Sequence, residues 1–397
     1  MEKLRVIPHD LAFRGDALAR VDEQILFIAG GIPGEEVDVE IVKRDRRFAY
    51  AQVRGVIQPS PFRVQPPCPY YGTCGGCVMQ HIAYPAQLEL KTNLVRDQFR
   101  RRGGFEDTPL RPALGMDDPW GYRNHARFSV DNQGHLGFTD RWYHHFMRID
   151  KCLLMHPAIN DVLATVQGRA FVKHQLGVRY GVNTGDLLVS PEVPLDDLPF
   201  ETGGRYFEEA ILGQRFRVFA SSFFQTNTLQ AERIARLVIE RLALTGSETV
   251  VDAYCGVGTF GILLAGTAGR VIGIEESPSA LKDAQHNASG LDNITFVQAK
   301  TEDALPALEG PVDALILDPS RKGCHRKVLD AAIALRPDKV VYVSCDPATL
   351  ARDVRQLVDG GYELIEVQPL DMFPHTFHIE CVATCAMRDE RSPTWTP

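Results

Sequence analysis

The chain has 397 residues, 44% of them apolar, with a net charge of −8 and nine cysteines. That length suits about two or three hydrophobic cores; no apolar run reaches the ~20 residues of a membrane span, and Met1-Glu2-Lys3-Leu4-Arg5 lacks the apolar stretch of a signal peptide. The expectation is a soluble, cytoplasmic protein with no membrane partner, and an odd cysteine count speaks for thiol chemistry over disulfides.

Residues 1–150 carry 20 Lys and Arg against 19 Asp and Glu, the remainder 23 against 32. A uniformly basic nucleic-acid binder is excluded, so any RNA must be held by local basic runs. The first such run is Lys43-Arg44-Asp45-Arg46-Arg47, followed by Phe48 and Tyr50. It lies among short strands predicted at 20–22, 25–29, 37–43 and 50–58, a pattern that suits a small β-barrel over residues 1–62. Charges beside rings fit an oligonucleotide-binding barrel, and a solvated turn equally well.

Pro59, Pro61, Pro66 and Pro67 form a stiff linker, since proline continues neither helix nor ladder. It leads into Cys68, Cys74 and Cys77, spaced C-x5-C-x2-C. Three thiolates need a fourth ligand: His81 would complete a zinc site and Cys152 an iron–sulfur cluster, and the spacing leaves both open. Leu88, Leu94, Val95 and Phe99 then recur at helical spacing, closed by Arg100-Arg101-Arg102 and Gly103-Gly104. Residues 126–130 and 135–138 read as a hairpin, giving an α+β central unit over 63–220.

From about residue 230 the rhythm changes. A helix at 231–244 precedes strands at 249–252, 271–274, 295–299, 314–317 and 339–343 with helical segments between, which implies a mainly parallel sheet in a unit spanning 221–397. The loop Asp252-Ala253-Tyr254-Cys255-Gly256-Val257-Gly258-Thr259-Phe260-Gly261 follows the first of these strands and contains G-x-G-x-x-G. The glycines suit a dinucleotide, an adenosylmethionine or a tight turn, and Glu275, one strand later, is placed for ribose hydroxyls. Asp318-Pro319-Ser320-Arg321 and Ser344-Cys345-Asp346-Pro347 end two further strands at the same edge, a pair for which a nicotinamide-dependent enzyme has no use.

Cys345 precedes a helix starting near Pro347, and a helix N-terminus lowers a thiol pKa, so Cys345 is the candidate nucleophile. A thiolate adding to C6 of uracil makes C5 nucleophilic. A base must later remove the C5 proton, and Phe373-Pro374-His375-Thr376-Phe377-His378-Ile379-Glu380 offers candidates.

Taken with Ser222-Phe223-Phe224-Gln225-Thr226-Asn227, these segments make nearly the whole chain resemble the RNA uracil-C5 methyltransferase family of RumA and TrmA enzymes. The resemblance implies a Rossmann-like class I methyltransferase domain, an N-terminal OB-fold-like TRAM barrel, and a central α+β domain carrying an iron–sulfur loop. It implies Cys345 as nucleophile, Glu380 as base and Asp318 as a contact to cofactor and uracil. Gln225, Tyr254, Gly256, Thr259 and Glu275 would line the S-adenosylmethionine site with Asp318. It also implies a 4Fe-4S cluster on Cys68, Cys74, Cys77 and Cys152.

Two departures are present: Asp346 stands where the family usually has asparagine, a charge expected to raise the thiol pKa, and Ser320 where it often has proline. The TRAM-like barrel makes 23S ribosomal RNA the expected substrate, with transfer RNA as the alternative and a non-catalytic RNA-binding or folding factor as a second class. Nothing in the sequence marks an obligate protein partner.

Overall fold

The computed structural model describes residues 3–12 and 14–388. Met1 and Glu2, which open the expected barrel and belong to the segment searched for a signal peptide, lie outside the described residues, as do residues 389–397 at the end of the expected third unit. Among the described residues no helix is long and apolar enough to cross a membrane.

Six strands form the N-terminal sheet: Lys3–Val6, Asp10–Leu11, Ala17–Val21, Gln24–Ala29, Glu36–Arg44 and Phe48–Gln58. The last four are the predicted ones, each longer than expected, while the first two are too short to show a period of two. Alternation turns Ala17, Ala19, Leu26, Ile28, Val37, Val39 and Ala51 onto one core. On the other face, Phe27, Phe48 and Tyr50 gather with ring centroids 5.4 to 5.9 Å apart, beside the exposed residues 43–47. Glu35, fully buried, fastens the sheet to the linker by pairing with Arg63 at 2.5 Å and accepting the Ile32 and Ser60 amides. Burial pushes the Glu35 carboxyl up, but those donors outweigh it and hold it below its ordinary value.

The middle of the chain holds an antiparallel sheet in the order Leu187–Ser190, Gln175–Tyr180, His125–Val130, Leu136–Thr139, Phe146–Arg148. Helix Pro157–Val166 covers it, burying Ile159, Val162, Leu163 and Val166. The predicted hairpin is present, with Ser129 opposite Gly137.

Helix Tyr84–Gly103 buries Leu94, Val95 and Phe99, and Gly104 closes it in the left-handed region at φ 67°. Arg100 and Arg101 pair with Asp97, so part of this basic run is spent within its own helix. The helix packs on Pro347–Asp359 of the C-terminal unit.

The C-terminal sheet has seven strands in the order Ile294–Gln298, Arg270–Glu275, Thr249–Ala253, Ala314–Leu317, Lys339–Ser344, Glu380–Met387, Tyr362–Leu370. The five predicted strands pair in parallel and are close to continuous apolar runs, as a sheet covered on both faces requires. Glu380–Met387 enters antiparallel between Lys339–Ser344 and Tyr362–Leu370.

A buried ion pair ties the long helix to the segment before that antiparallel strand: Lys91 Nζ donates to Asp371 Oδ1 at 2.6 Å and to the Phe373 carbonyl at 3.1 Å. The side chains are 1% and 0% exposed. Burial pulls the Lys91 ammonium down while Asp371 opposes it. Lys91→Met strands a buried carboxylate and is expected to cost about 3–5 kcal/mol in urea unfolding. Lys91→Met with Asp371→Leu removes both charges and should recover most of that loss.

Candidate active site

The sheet register assembles the site. Ser344 lies opposite Cys381, so one step further along this antiparallel pair Cys345 faces Glu380. Leu317 is level with Tyr342 in the neighbouring parallel pair, and Ala253 with Leu317. Asp318 and Tyr254, the next residues, therefore leave the sheet at the same edge as Cys345. Parallel strands end their carboxyl termini together, and the antiparallel strand begins there, which is how residues far apart in sequence converge.

The glycine loop is held from below. Asp252 is fully buried and accepts the Gly261 N–H at 2.8 Å, while its other oxygen has no partner among the described residues. Burial pushes its carboxyl up to about 7. Tyr254, Gly256 and Gly258 all lie at positive φ, and a Cβ built on Gly256 would meet nothing within 4 Å, so this turn borders open space. Glu275 accepts the Gly256 amide at 3.0 Å and the Ser277 amide at 2.7 Å. Its carboxylate thereby shapes the loop. Thr259 begins the helix Thr259–Ala265.

Gln225 sits half-buried between the exposed Phe223 and the buried Asn227. Asn227 caps helix Thr228–Leu242 by accepting the Gln230 N–H, and its amide donates to the Met372 carbonyl at 3.0 Å. Asn124 donates to the Gln225 carbonyl at 3.1 Å. These bonds fix the segment against the stretch that leads to Glu380.

The thiol at Cys345 departs from expectation. Its pKa is pushed up to about 11, first by burial, then by the charge of Glu380, with Asp318 adding and Arg321 opposing through its charge and a hydrogen bond. Asp346 caps the helix that follows, one oxygen accepting the Ala348 and Thr349 amides at 3.0 and 3.1 Å. The Asp346 carboxylate is thus spent on the cap, and an asparagine oxygen could do the same work. Glu380 is raised well above its ordinary value by burial and Asp318, and Asp318 is raised to about 7 by burial and Asp252. Glu380 and the Cys345 thiol thus both feel the charge of Arg321.

Arg321 belongs to the Asp318 segment, but no role for it was visible in the sequence. Its guanidinium also donates to His378 Nδ1 at 3.2 Å. His378 packs on Phe377 with ring centroids 3.9 Å apart and is pushed down to about 4 by burial and neighbouring cations. Residues 371–379 are clamped on their far side. The His375 carbonyl accepts the Val78 and Met79 amides, Trp120 stacks on the His375 ring at 3.8 Å, and Tyr122 donates to the Pro374 carbonyl.

That clamp belongs to the cysteine segment. Cys77 is raised by burial and further by the charges of Cys152, Cys74 and Cys68, so the four thiols lie within one another's fields. Cys74 Sγ accepts the Gly76 amide at 3.4 Å, and Cys152 is raised by burial, with the Leu154 and Met155 amides opposing in part, donors of the polarity a metal-bound sulfur needs. The expected ligand quartet is nevertheless not drawn together: among the described residues no three His, Cys, Asp or Glu side chains are placed to hold a metal ion. Burial raises the thiols of Cys74, Cys77 and Cys152 above their ordinary value. The zinc alternative loses its fourth ligand, because His81 is buried with Nδ1 bonded to Tyr71 at 2.5 Å and Nε2 to the Gly31 carbonyl at 3.1 Å.

A parallel sheet closed by an antiparallel strand, with a glycine turn after Thr249–Ala253, defines a class I methyltransferase domain. Residues 210–386 match the tRNA (uracil-5-)-methyltransferase family and residues 2–53 the TRAM domain. The chain is 35% identical to an uncharacterised RNA methyltransferase of Halalkalibacterium halodurans over 97% of both chains, and 36% identical to one of Gloeobacter violaceus over 94% of both. It is also similar to the structure of Pyrococcus abyssi tRNA (uracil-54, C5)-methyltransferase in complex with S-adenosyl-L-homocysteine. That match has a TM-score of 0.74 and 25% identity, and covers 96% of this chain and 100% of the other. The chain belongs to the uracil-5 RNA methyltransferase family and is an RNA methyltransferase.

Proposed function

We propose that the protein methylates C5 of a uridine in RNA, with S-adenosylmethionine as methyl donor. The observation that carries this reading is the placement of Cys345 opposite Glu380, beside Asp318 and the glycine turn. The donor supplies a methyl group on a cationic sulfur, with Gln225, Tyr254, Gly256, Thr259, Glu275 and Asp318 as its pocket.

Cys345 loses its proton to solvent, its thiolate adds to C6, and the C5–C6 π electrons pass into an enolate. C5 takes the methyl group and the neutral thioether departs. Glu380, as carboxylate, accepts the C5 proton, the double bond re-forms, and the Cys345 thiolate leaves. The target base must leave its stack to reach a thiol at a sheet edge.

We read the chain as units at 1–62, 63–220 and 221–397, with the barrel face of Phe27, Phe48 and Tyr50 and the neighbouring Arg46 and Arg47 holding RNA. Reversing the charge of Arg46 and Arg47 is expected to weaken RNA binding and flatten its salt dependence by about two phosphate contacts. Unchanged affinity in a salt titration would remove the barrel from the interface.

The barrel's resemblance makes 23S ribosomal RNA the first substrate to test. Transfer RNA is the second reading, favoured by the archaeal enzyme, whose match extends over 96% of this chain and so leaves the barrel little power to separate the two. Cys68, Cys74, Cys77 and Cys152 would hold a 4Fe-4S cluster, fixing the clamp on residues 371–379. About four iron atoms per chain in anaerobically purified protein, lost in Cys152→Ala, is the expected result; bound zinc would overturn it.

The test of the whole reading is mass spectrometry of nuclease-digested ribosomal and transfer RNA from cells with and without the protein. Loss of 5-methyluridine at one site, restored by the wild type and not by Cys345→Ala, is expected. No loss in either RNA would favour a non-catalytic binding factor.

A further inference from the structure

The tip of the hairpin between strands Leu136–Thr139 and Phe146–Arg148 is built as a presented surface. Tyr143 is 69% exposed and Phe146 38%, with His144 and His145 exposed between them. The Tyr143 and His145 rings stack with centroids 5.8 Å apart and planes 22° from parallel.

This tip is rigid although it is exposed. Asp140 accepts three backbone amides, from Trp142 at 2.8 Å, Tyr143 at 2.7 Å and His145 at 2.6 Å. Those bonds hold its carboxyl below the ordinary value. His144 takes the left-handed conformation at φ 58° that the turn requires. The base of the tip is tied on two sides. The Arg141 amide donates to the Thr73 carbonyl and the Gly75 amide to the Thr139 carbonyl, joining it to the cysteine segment. The Arg141 guanidinium pairs with Asp16, joining it to the barrel, and packs over the Trp142 ring at 5.4 Å.

The acids at the tip are engaged, Asp140 by the amides, Asp16 by Arg141, and Asp150 by Arg148 at 3.0 Å. What the tip itself presents outward is aromatic and imidazole, from Tyr143 to Phe146. A rigid pair of π faces costs little entropy on binding and accepts any base, whereas a protein partner would call for a broader apolar surface.

We propose that residues 142–146 form a stacking platform for unpaired RNA bases, at the junction of the barrel and the cysteine segment. The proposal rests on the reading of the chain as an enzyme acting on RNA, and it assigns a second contact surface away from Cys345.

The test uses the full chain, an oligouridylate of about 12 nucleotides as probe, and Tyr143→Ala and Tyr143→Phe variants whose thermal melts match the wild type. Tyr143→Ala is expected to weaken binding about 5- to 100-fold and to abolish photocrosslinking to the peptide containing residues 142–146, while Tyr143→Phe keeps both. Wild-type affinity in Tyr143→Ala would overturn the platform, and so would an equal loss in Tyr143→Phe, which would assign the contact to the phenolic hydroxyl. Methyl transfer by the wild type to ribosomal and transfer RNA is measured in parallel. Its absence would sink the enzymatic reading, whereas activity with an affinity insensitive to Tyr143 would sink the platform alone.

Discussion

Glu380→Gln is expected to turn the enzyme into a trap, accumulating a covalent protein–RNA complex that survives SDS while turnover falls by about 10²- to 10⁴-fold. The amide keeps the size of the side chain facing Cys345 but cannot accept a proton. Addition of the thiolate and methyl transfer still proceed, and the C5 proton then has nowhere to go, so the C6–sulfur bond persists. Cys345→Ala should give neither turnover nor adduct. Near-normal turnover in Glu380→Gln would move the base to His378, whose ring lies beside Arg321 and is held neutral at pH 7 by a pKa lowered to about 4.

The trap is informative because burial and Asp318 raise the Glu380 pKa and so disfavour its carboxylate form, while the Cys345 thiol, at about 11, is protonated at neutral pH. Reaction therefore requires removal of the thiol proton. Substrate binding must bring positive charge or donors to this edge, or the medium must be alkaline, before Cys345 attacks and Glu380 accepts.

What the sequence disclosed follows from how local each signal is. The five parallel strands and the glycine turn could be read because continuous apolar runs ending in Asp252, Asp318 and Cys345 carry their own punctuation. Glu380–Met387 was missed as a strand since its apolar residues look the same whether they pair parallel or antiparallel. That strand supplies the register bringing Glu380 to Cys345. The size of the rise in the thiol pKa was also out of reach: a helix start after Cys345 predicts a low value, and the burial that outweighs it, with Glu380 and Asp318 adding, exists only in three dimensions. The clamp between Met79 and His375 joins segments almost 300 residues apart. No periodicity reports such a pairing. His81 was weighed as a metal ligand by proximity to Cys77, and its two ring bonds inside the fold become visible only in the structure.

Arg321 should control when Cys345 ionises, and Arg321→Met is expected to move the pH profile of Cys345 alkylation upward by about one to two pH units. A hydrogen bond to a charged group contributes roughly 1.5–3 kcal/mol, and each pK unit corresponds to about 1.4 kcal/mol. The thiol starts near 11, with burial, Glu380 and Asp318 against ionisation and Arg321 in favour. Ionised thiol grows with pH, so both alkylation and methyl transfer should rise from neutral to alkaline pH in the wild type, and the rise should begin later in Arg321→Met. Asp318→Asn removes a charge that opposes the thiolate and should shift alkylation the other way. Alkylation of the partly exposed Cys345, followed by mass spectrometry of the peptide that carries it, reads ionisation without needing RNA or the methyl donor. An Arg321→Met profile that coincides with the wild type would confine Arg321 to holding His378, and the nucleophile would then depend for its ionisation on charge brought by the substrates.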